Sequence, residues 1–322
     1  MIEVKNLCKK YANKTAINDV SFCVKEGEIL GFLGPNGAGK STTMNIITGY
    51  LSADKGTVTI DGEEIFENPL VVKSKIGYLP EVPPLYPDMT VVKYLEFIFE
   101  LKKIKLNKKD HINEICDLLS ISDVKERLIK NLSKGYKQRI GFASALIGYP
   151  PVLILDEPTV GLDPKQIIEI REFIKRLGKK HTVILSSHIL SEVQAICDRV
   201  VVINNGKIVA DDTPKNLSDN FSDKNRILFQ IEGDKERIKS LILGVENVSN
   251  VSVGEKIAEN IYEFIVDALK DINIRRDIFN VCAENNCPIL LIKLMETNLE
   301  DVFLKLTKDN LKNKDENQEG QI

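Results

Sequence analysis

A glycine-rich run followed by a lysine and three hydroxyl side chains lies near the N-terminus. Glycines let successive backbone N–H groups turn inward around phosphates, a lysine meets the outer phosphates, and a serine hydroxyl binds Mg²⁺. The apolar run before it and the periodic apolar residues after it place this loop between a strand and a helix N-terminus. A chance glycine-rich turn is the alternative. The residues predicted to bind a nucleoside triphosphate, with Ser41 as a metal ligand, are Gly34, Pro35, Asn36, Gly37, Ala38, Gly39, Lys40, Ser41 and Thr42.

A second candidate is a pair of carboxylates at the end of an apolar run. Residues 152–155 read Val-Leu-Ile-Leu, which is typical of a strand buried on both faces of a parallel sheet. Such strand ends form the ligand crevice of open α/β sheets. We expect Asp156 to hold Mg²⁺ and Glu157 to polarise a water aimed at the γ-phosphate. The alternative is that the two acids only open a helix N-terminus ahead of Pro158.

A third segment, residues 132–139, reads Leu-Ser-Lys-Gly-Tyr-Lys-Gln-Arg and begins a helical pattern shortly before the acidic strand. It resembles the signature sequence of the ATP-binding-cassette (ABC) proteins. Other elements match this family in its order: Tyr11 where an aromatic ring stacks on adenine, Gly161–Pro164 as the D-loop, and Ser186–His188 with the switch histidine. The resemblance covers about residues 1–215 and is to the nucleotide-binding subunit of an ABC transporter.

This resemblance implies a fold and a mechanism. The fold is an α/β P-loop NTPase, with a RecA-like core, an antiparallel β subdomain and a helical subdomain. Two copies are expected to close head to tail around two ATP molecules, so that Ser133 and Gly135 reach the γ-phosphate held by the partner. Asp163 would set the geometry across this homodimer, and His188 would contact the γ-phosphate and the attacking water. ATP and Mg²⁺ are the expected cofactors, and the expected catalytic residues are Lys40, Glu157 and His188.

Three positions depart from the common pattern of the family. Lys134 stands where Gly is usual, Tyr136 where Gln is usual, and Glu81 where many members have Gln. We hypothesise that Lys134 adds positive charge near the partner's nucleotide and that Tyr136 packs against its ribose or loop. Glu81 is expected to bind Mg²⁺ or orient water, because the metal would offset the repulsion between carboxylate and phosphate. This combination resembles the ATPase subunits of ABC-2 type exporters and of gliding-motility and sodium-efflux systems.

Length and composition agree with this interpretation. The chain has 322 residues, 43% of them apolar, and a formal net charge of −3, which argues against a nucleic-acid partner. No apolar run approaches the length of a membrane span, and the first residues predict a strand and not a secretory leader. We therefore expect a cytoplasmic subunit, peripheral on the inner face of the membrane, that powers export through a separate permease. A soluble ABC-type ATPase acting on ribosomes or nucleic acid is the alternative.

The pattern also predicts how the ATPase domain, residues 1–215, is organised. Alternating polar and apolar residues up to about position 65 predict antiparallel strands, and 3.6-residue periodicity predicts a helical subdomain over about residues 90–149. Pro80–Pro87 is predicted to bridge to this subdomain, and family analogy implies a docking groove for a transporter helix there, with an ordinary rigid linker as the alternative. His111 and His181 have no functional context and are interpreted as surface residues.

A second domain is predicted over residues 216–307. Its order of elements, β-α-β-β-α-β, is that of a small α+β ferredoxin-like domain. It contains no catalytic cluster in the sequence, so dimer contact or regulation is its expected role. A closing helix is predicted over residues 298–306, and the polar residues 308–322 are predicted to be a disordered tail.

Overall fold

The computed structural model describes residues 1–220, 224–269 and 272–295 of the chain. The chain divides into two compact units, with the division between Pro214 and Lys215. Among the residues described, no helix combines the length and the apolar character needed to cross a lipid bilayer.

The first unit mixes strands and helices, and two short 3₁₀ turns, Ser122–Val124 and Ile129–Asn131, connect two of its helices. In chain order the elements are β1 (Ile2–Tyr11), β2 (Lys14–Val24), β3 (Ile29–Leu33), α1 (Lys40–Ile47), β4 (Lys55–Ile60), β5 (Glu63–Glu64), α2 (Pro69–Ser74), β6 (Ile76–Leu79), α3 (Val91–Leu101), α4 (Lys108–Leu118), α5 (Lys134–Leu146), β7 (Val152–Asp156), α6 (Pro164–Gly178), β8 (Thr182–Ser187), α7 (Leu190–Ile196), β9 (Arg199–Asn204) and β10 (Lys207–Asp212). Helix α8 (Pro214–Asn220) begins at the division between the units.

The main sheet of this unit has the strand order β10-β9-β3-β8-β7-β6. All of its neighbouring strands pair in parallel except β10, which is antiparallel to β9. Every residue of β3, β7 and β8 is buried, as expected for apolar strands covered on both faces. Because β3, β8 and β7 are adjacent and parallel, the segments that follow them leave the sheet at the same edge.

A second sheet, of order β2-β1-β4-β5, is antiparallel and packs into the same hydrophobic core as the main sheet. The rings of Phe22 and Phe32 lie 5.3 Å apart, between β2 of one sheet and β3 of the other. The predicted antiparallel strands before residue 65 are therefore confirmed. The hairpin between β1 and β2 holds Tyr11 at its tip.

Three helices, α3, α4 and α5, follow β6 and precede β7, which confirms the predicted helical subdomain. Each begins at a polar side chain that accepts a hydrogen bond from the backbone N–H three residues on. These caps are Thr90, Asn107 and Ser133.

The interpretation of His111 and His181 as surface residues is wrong, because both side chains are buried. His111 Nε2 accepts a hydrogen bond from the backbone N–H of Gly148 at 3.0 Å, and burial lowers the pKa of this imidazole. Nδ1 of His181 donates to the carbonyl of Pro150 at 2.7 Å. Both histidines therefore satisfy backbone groups around the end of α5.

The second unit has the predicted ferredoxin-like order. Its elements are β11 (Lys224–Glu232), α9 (Lys235–Leu243), β12 (Val248–Ala258), β13 (Ile261–Leu269), α10 (Arg275–Glu284) and β14 (Ile289–Met295). All strand pairs are antiparallel in the order β12-β13-β11-β14, and the two helices close a separate hydrophobic core. The predicted closing helix over 298–306 and the predicted tail over 308–322 lie outside the described residues.

An arginine joins several strands at the amino-terminal side of the main sheet. Nε of Arg199, at the start of β9, donates to Oε1 of Glu28 at 2.7 Å, and its other nitrogens contact Asp211 and the carbonyl of Cys23. Burial is the largest single influence and raises the pKa of Glu28, but the hydrogen bonds from Arg199 and the backbone of Lys25, together with the nearby positive charges, outweigh it and hold the pKa below its usual value. This ion pair therefore stabilises the sheet at neutral pH.

Replacing Arg199 by Met should destabilise the fold by about 3 kcal/mol at pH 7, because a mostly buried carboxylate loses its partner. Unfolding in urea, followed by circular dichroism, measures this loss. The pKa of Glu28 is lowered in the folded state, so its stabilisation is present above pH about 4.3 and is lost below it. The deficit of Arg199→Met should therefore shrink in acid, and Glu28→Gln in the same chain should recover part of it. A deficit of equal size at all pH values would contradict this account.

Candidate nucleotide site

The loop from Gly34 to Gly39 joins the end of β3 to the start of α1, as the sequence predicts. Gly39 precedes the helix with φ +114°, a conformation that L side chains rarely adopt. At Gly34, a Cβ atom would lie 2.4 Å from the carbonyl oxygen of Ile203, so only glycine fits against β9. The backbone N–H of Ala38 donates to the carbonyl of Pro35 at 3.1 Å, which closes the loop on itself.

Lys40 begins α1, and its side chain is only 6% exposed. Its Nζ donates to the carbonyl of Gly34 at 2.8 Å and lies 3.6 Å from Oε1 of Glu157. The amine is thus held inside the curve of the loop, with a carboxylate from the end of β7 as its charge partner. A phosphate bound in this curve would meet the same positive charge.

Glu157 lies directly after β7 and has the left-handed backbone conformation, with φ +49°. Its backbone N–H donates to the carbonyl of Ser186 on β8 at 3.0 Å. Nδ1 of His188, which follows β8, donates to Oε2 of Glu157 at 2.8 Å. The hydrogen bond orients the carboxylate and leaves Nε2 of the imidazole as the remaining polar atom of the ring.

Asp156 is the last residue of β7 and is 5% exposed. Its Oδ1 accepts a hydrogen bond from the hydroxyl of Ser186, a partner that the sequence analysis did not assign. Burial, with a smaller effect from the nearby Asp156 carboxylate, raises the pKa of Tyr78 to about 12, so the neighbouring phenol stays neutral. Asp156 thus presents its carboxylate at the edge of the sheet where the loop lies.

A cleft of about 370 Å³ opens between these segments and the β1–β2 hairpin. It brings together most of the residues predicted to bind nucleotide or metal, or to act in catalysis. Pro35 and Ala38 shape the loop, and Asp156 lies at the strand end behind it. The predicted residues that line the cleft are Tyr11, Asn36, Gly37, Gly39, Lys40, Ser41, Thr42, Glu81, Glu157 and His188.

The sequence analysis missed other residues that line this cleft, namely Lys14, Ala16 and Val160. Lys14 lies on β2, opposite Tyr11 in the hairpin register. A cation three residues after the aromatic residue could have been noticed as part of the same hairpin. Ala16 and Val160 carry no chemical signal, because they shape the walls of the cleft.

The residues available near the loop fit Mg²⁺ held together with phosphates. Mg²⁺ usually takes one or two carboxylates, and substrate phosphates and water complete its octahedral shell. The hydroxyl of Ser41 and the carboxylate of Glu81 line the cleft, and Asp156 lies at the adjoining strand end. Within the described ranges, no cluster of three or more His, Cys, Asp or Glu side chains is placed to hold a metal ion.

The structure does not bring Ser133, Gly135 and Asp163 to this cleft. They line a separate groove of about 830 Å³ between α5 and α6. Ser133 and Asp163 are the N-caps of these two helices, and Gly135 packs against the side chain of Gln166. The predicted nucleotide-binding residues of one chain therefore fall on two different surfaces.

The positions that depart from the family pattern have neighbours within the chain. The Nζ of Lys134 lies against Gly161 of the D-loop, 1.8 Å from where a Cβ atom at that glycine would be. The hydroxyl of Tyr136 donates to Oδ2 of Asp123 at 2.9 Å, and this hydrogen bond raises the pKa of the phenol. The hypothesis that both residues contact a partner's nucleotide stays a prediction.

Comparison with known proteins agrees with this geometry. The family described as ABC transporter matches residues 17–160. An uncharacterised ABC transporter ATP-binding protein, YhcH of Bacillus subtilis (strain 168), is 34% identical, covering 95% of this chain and 96% of the relative. The bacitracin transport ATP-binding protein BcrA of Bacillus licheniformis is 33% identical, and the match covers 95% of this chain and 97% of that relative.

Among solved structures, the dimeric post-hydrolysis state of the ATP-binding cassette MJ0796, bound to ADP and Pi, has a TM-score of 0.61 and 26% sequence identity. The match covers 66% of this chain and 98% of that one. The chain belongs to the ABC transporter family, as an ATP-binding and ATP-hydrolysing subunit. The resemblance stated from the signature segment is thereby confirmed.

If Lys40 meets the phosphates, Lys40→Ala should abolish the stabilisation that Mg-ATP gives the protein. At an ATP concentration 100 times the dissociation constant, this stabilisation is about 2.7 kcal/mol and raises the melting temperature. Differential scanning fluorimetry with and without Mg-ATP measures it. The exposed Lys109, changed to Ala, is the matched control and should keep the shift. A full shift in Lys40→Ala would place the nucleotide elsewhere.

Proposed function

We propose that this subunit powers export through a separate membrane permease, by clamping two ATP molecules between two copies of the chain. The observation that carries this proposal is the separation of the nucleotide-binding residues into two surfaces. One surface holds the phosphate loop, Glu157 and His188, and the other holds Ser133, Gly135 and Asp163. A single chain therefore carries both sets of residues but cannot apply them to the same ATP, whereas two copies related by a twofold axis would place the first surface of each chain against the second surface of the other.

The second surface suits contact with phosphate from a partner. Ser133 caps α5, and Gly135 lies in the first turn of this helix, where N–H groups and the helix dipole favour negative charge. Asp163 caps α6 beside it, accepting a hydrogen bond from the N–H of Gln166 at 2.9 Å. The matched cassette MJ0796 is dimeric in its ADP-bound structure, which supports the same assembly here.

Within the cleft, catalysis would depend on positioning and charge and not on a covalent intermediate. Lys40 would bind the outer phosphates, and Tyr11 would stack on adenine from the tip of its hairpin. Glu157, oriented by His188, would accept the proton of the attacking water. Mg²⁺, held by Ser41, Asp156 and Glu81, would offset the charge of the phosphates.

The permease would bind beside the bridge after β6. A groove of about 360 Å³ is lined there by Glu81, Val82, Pro83 and Leu85, and its other wall carries lysines of the helical subdomain. Val82 is 79% exposed, which leaves an apolar side chain at the rim. An apolar cytoplasmic helix with acidic residues would fit the groove, whose lysines are Lys130, Lys134 and Lys137. This contact would place the subunit in the cytoplasm, on the inner face of the membrane.

The cargo would contact the permease and not this chain. The name of the relative BcrA refers to bacitracin transport, which makes antimicrobial compounds the first class of cargo to test. A role on ribosomes or nucleic acid is not favoured, because the net charge is −3 and the relatives carry transport names.

Changing Glu157 to Gln should lower the steady-state rate of ATP hydrolysis at least about 100-fold, because the amide cannot accept the proton of the attacking water. The Gln side chain has nearly the same size, so ATP binding should remain within a factor of about three. Phosphate release and ATP titration measure the two effects. An exposed acid in the turn before β3, changed in Glu26→Gln, is the control for the loss of one negative charge. Turnover at the parental rate would remove Glu157 from the mechanism.

The permease proposal is tested on complexes purified from detergent-solubilised membranes with a tag on this subunit. A polytopic membrane protein should co-purify, and the charge reversal Lys137→Glu should reduce its yield at least about fivefold if the groove binds acidic residues. Lys109→Glu, on the exposed side of α4, is the matched control and should have no effect. Recovery of ribosomal RNA or DNA in place of a membrane protein would favour the alternative role.

A further inference from the structure

A buried carboxylate lies behind the Glu157–His188 pair. Glu192, in the first turn of α7, is 1% exposed, and its Oε2 accepts hydrogen bonds from the hydroxyls of Thr159 at 2.6 Å and Ser187 at 3.3 Å. Both donors are themselves buried. A carboxylate with so little contact with water is costly to the fold unless its hydrogen bonds are specific and well placed.

The two donors flank the residues proposed to act on ATP. Thr159 is two residues after Glu157, within a turn in which the N–H of Val160 donates to the carbonyl of Glu157 at 3.2 Å. Ser187 is the last residue of β8 and immediately precedes His188. Its hydroxyl oxygen also accepts the backbone N–H of Ile189 at 3.0 Å, so the side chain of Ser187 spans the backbone at His188. One carboxylate therefore fixes both segments relative to each other.

A third segment reaches the same carboxylate. Nη2 of Arg171, on α6, lies 3.8 Å from Oε1 of Glu192. Neither this oxygen nor Nε of Arg171 has a hydrogen-bond partner among the described residues. Helix α6 begins at the D-loop, with Asp163 as its N-cap. The Glu192 carboxylate is thus the point where the segments after β7, before α7 and along α6 meet.

We propose that Glu192 is a positioning residue for ATP hydrolysis, acting through Thr159 and Ser187 to hold Glu157 and His188 in mutual register. The hydrogen bond between these two residues is 2.8 Å long, and a displacement of either backbone would lengthen it. A misplacement of about 1 Å in a catalytic group can cost about 100-fold in rate. The inference rests on the proposed roles of Glu157 and His188.

The test compares variants that keep or remove one hydrogen bond. Thr159→Val removes the hydroxyl with little change of volume, and Thr159→Ser keeps it. We expect Thr159→Val to lower kcat at least about tenfold, with KM for ATP within about threefold, while Thr159→Ser stays within about threefold of the parent in both. Glu192→Gln keeps an acceptor oxygen and should therefore lower kcat less than Glu192→Ala does. Ser191→Ala, at an exposed neighbour on the same helix, is the control.

A second measurement separates positioning from a general loss of stability. In a chain that already carries Glu157→Gln, Thr159→Val should lower the residual rate by less than about twofold, because no catalytic carboxylate remains to be positioned. A folded Thr159→Val variant with parental kcat, or an effect of equal size in both backgrounds, would overturn the inference. If Glu157→Gln itself turned over at the parental rate, the proposed mechanism would fail first, and the two failures are therefore distinguishable.

Discussion

The parallel pairing of β3, β8 and β7 is the constraint on which the site depends. It brings three chain segments that are distant in sequence to one edge of the sheet, with Lys40 after the first, His188 after the second and Glu157 after the third. The carboxylate of Glu157 lies between the amine of Lys40, its charge partner, and the imidazole of His188, its hydrogen-bond donor. In a buried site, this mutual compensation makes an ionised carboxylate tolerable.

The backbone at Glu157 has the left-handed conformation, and the neighbouring strand holds it there. A glutamate with φ +49° is strained, and it persists here because its N–H is tied to the carbonyl of Ser186 on the adjacent strand. The side chain thereby turns toward the phosphate loop. The groove between α5 and α6 is also arranged in advance. Its caps, Ser133 and Asp163, fix the starts of these neighbouring helices before any partner binds.

Much of this could be predicted from the sequence, because the signals are local. The glycines of the loop, the all-apolar strand before Asp156 and the alternating polar and apolar residues up to about position 65 each specify backbone conformation within a few residues. Burial of His111 was not predicted, although its spacing of four residues from the buried Ile115 on α4 was an available signal. The role proposed for Glu192 could not be predicted locally, because Thr159, which links it to the segment of Glu157, is 33 residues earlier in the chain.

The central claim is that each ATP is held between two copies of this chain. Native mass spectrometry of the Glu157→Gln protein with Mg-ATP tests it directly, with and without the further change Ser133→Arg. The account predicts a complex of two chains and two ATP molecules in the first protein, and single chains that still bind ATP in the second. Single ATP-bound chains in both proteins, or a dimer that Ser133→Arg leaves intact, would contradict it.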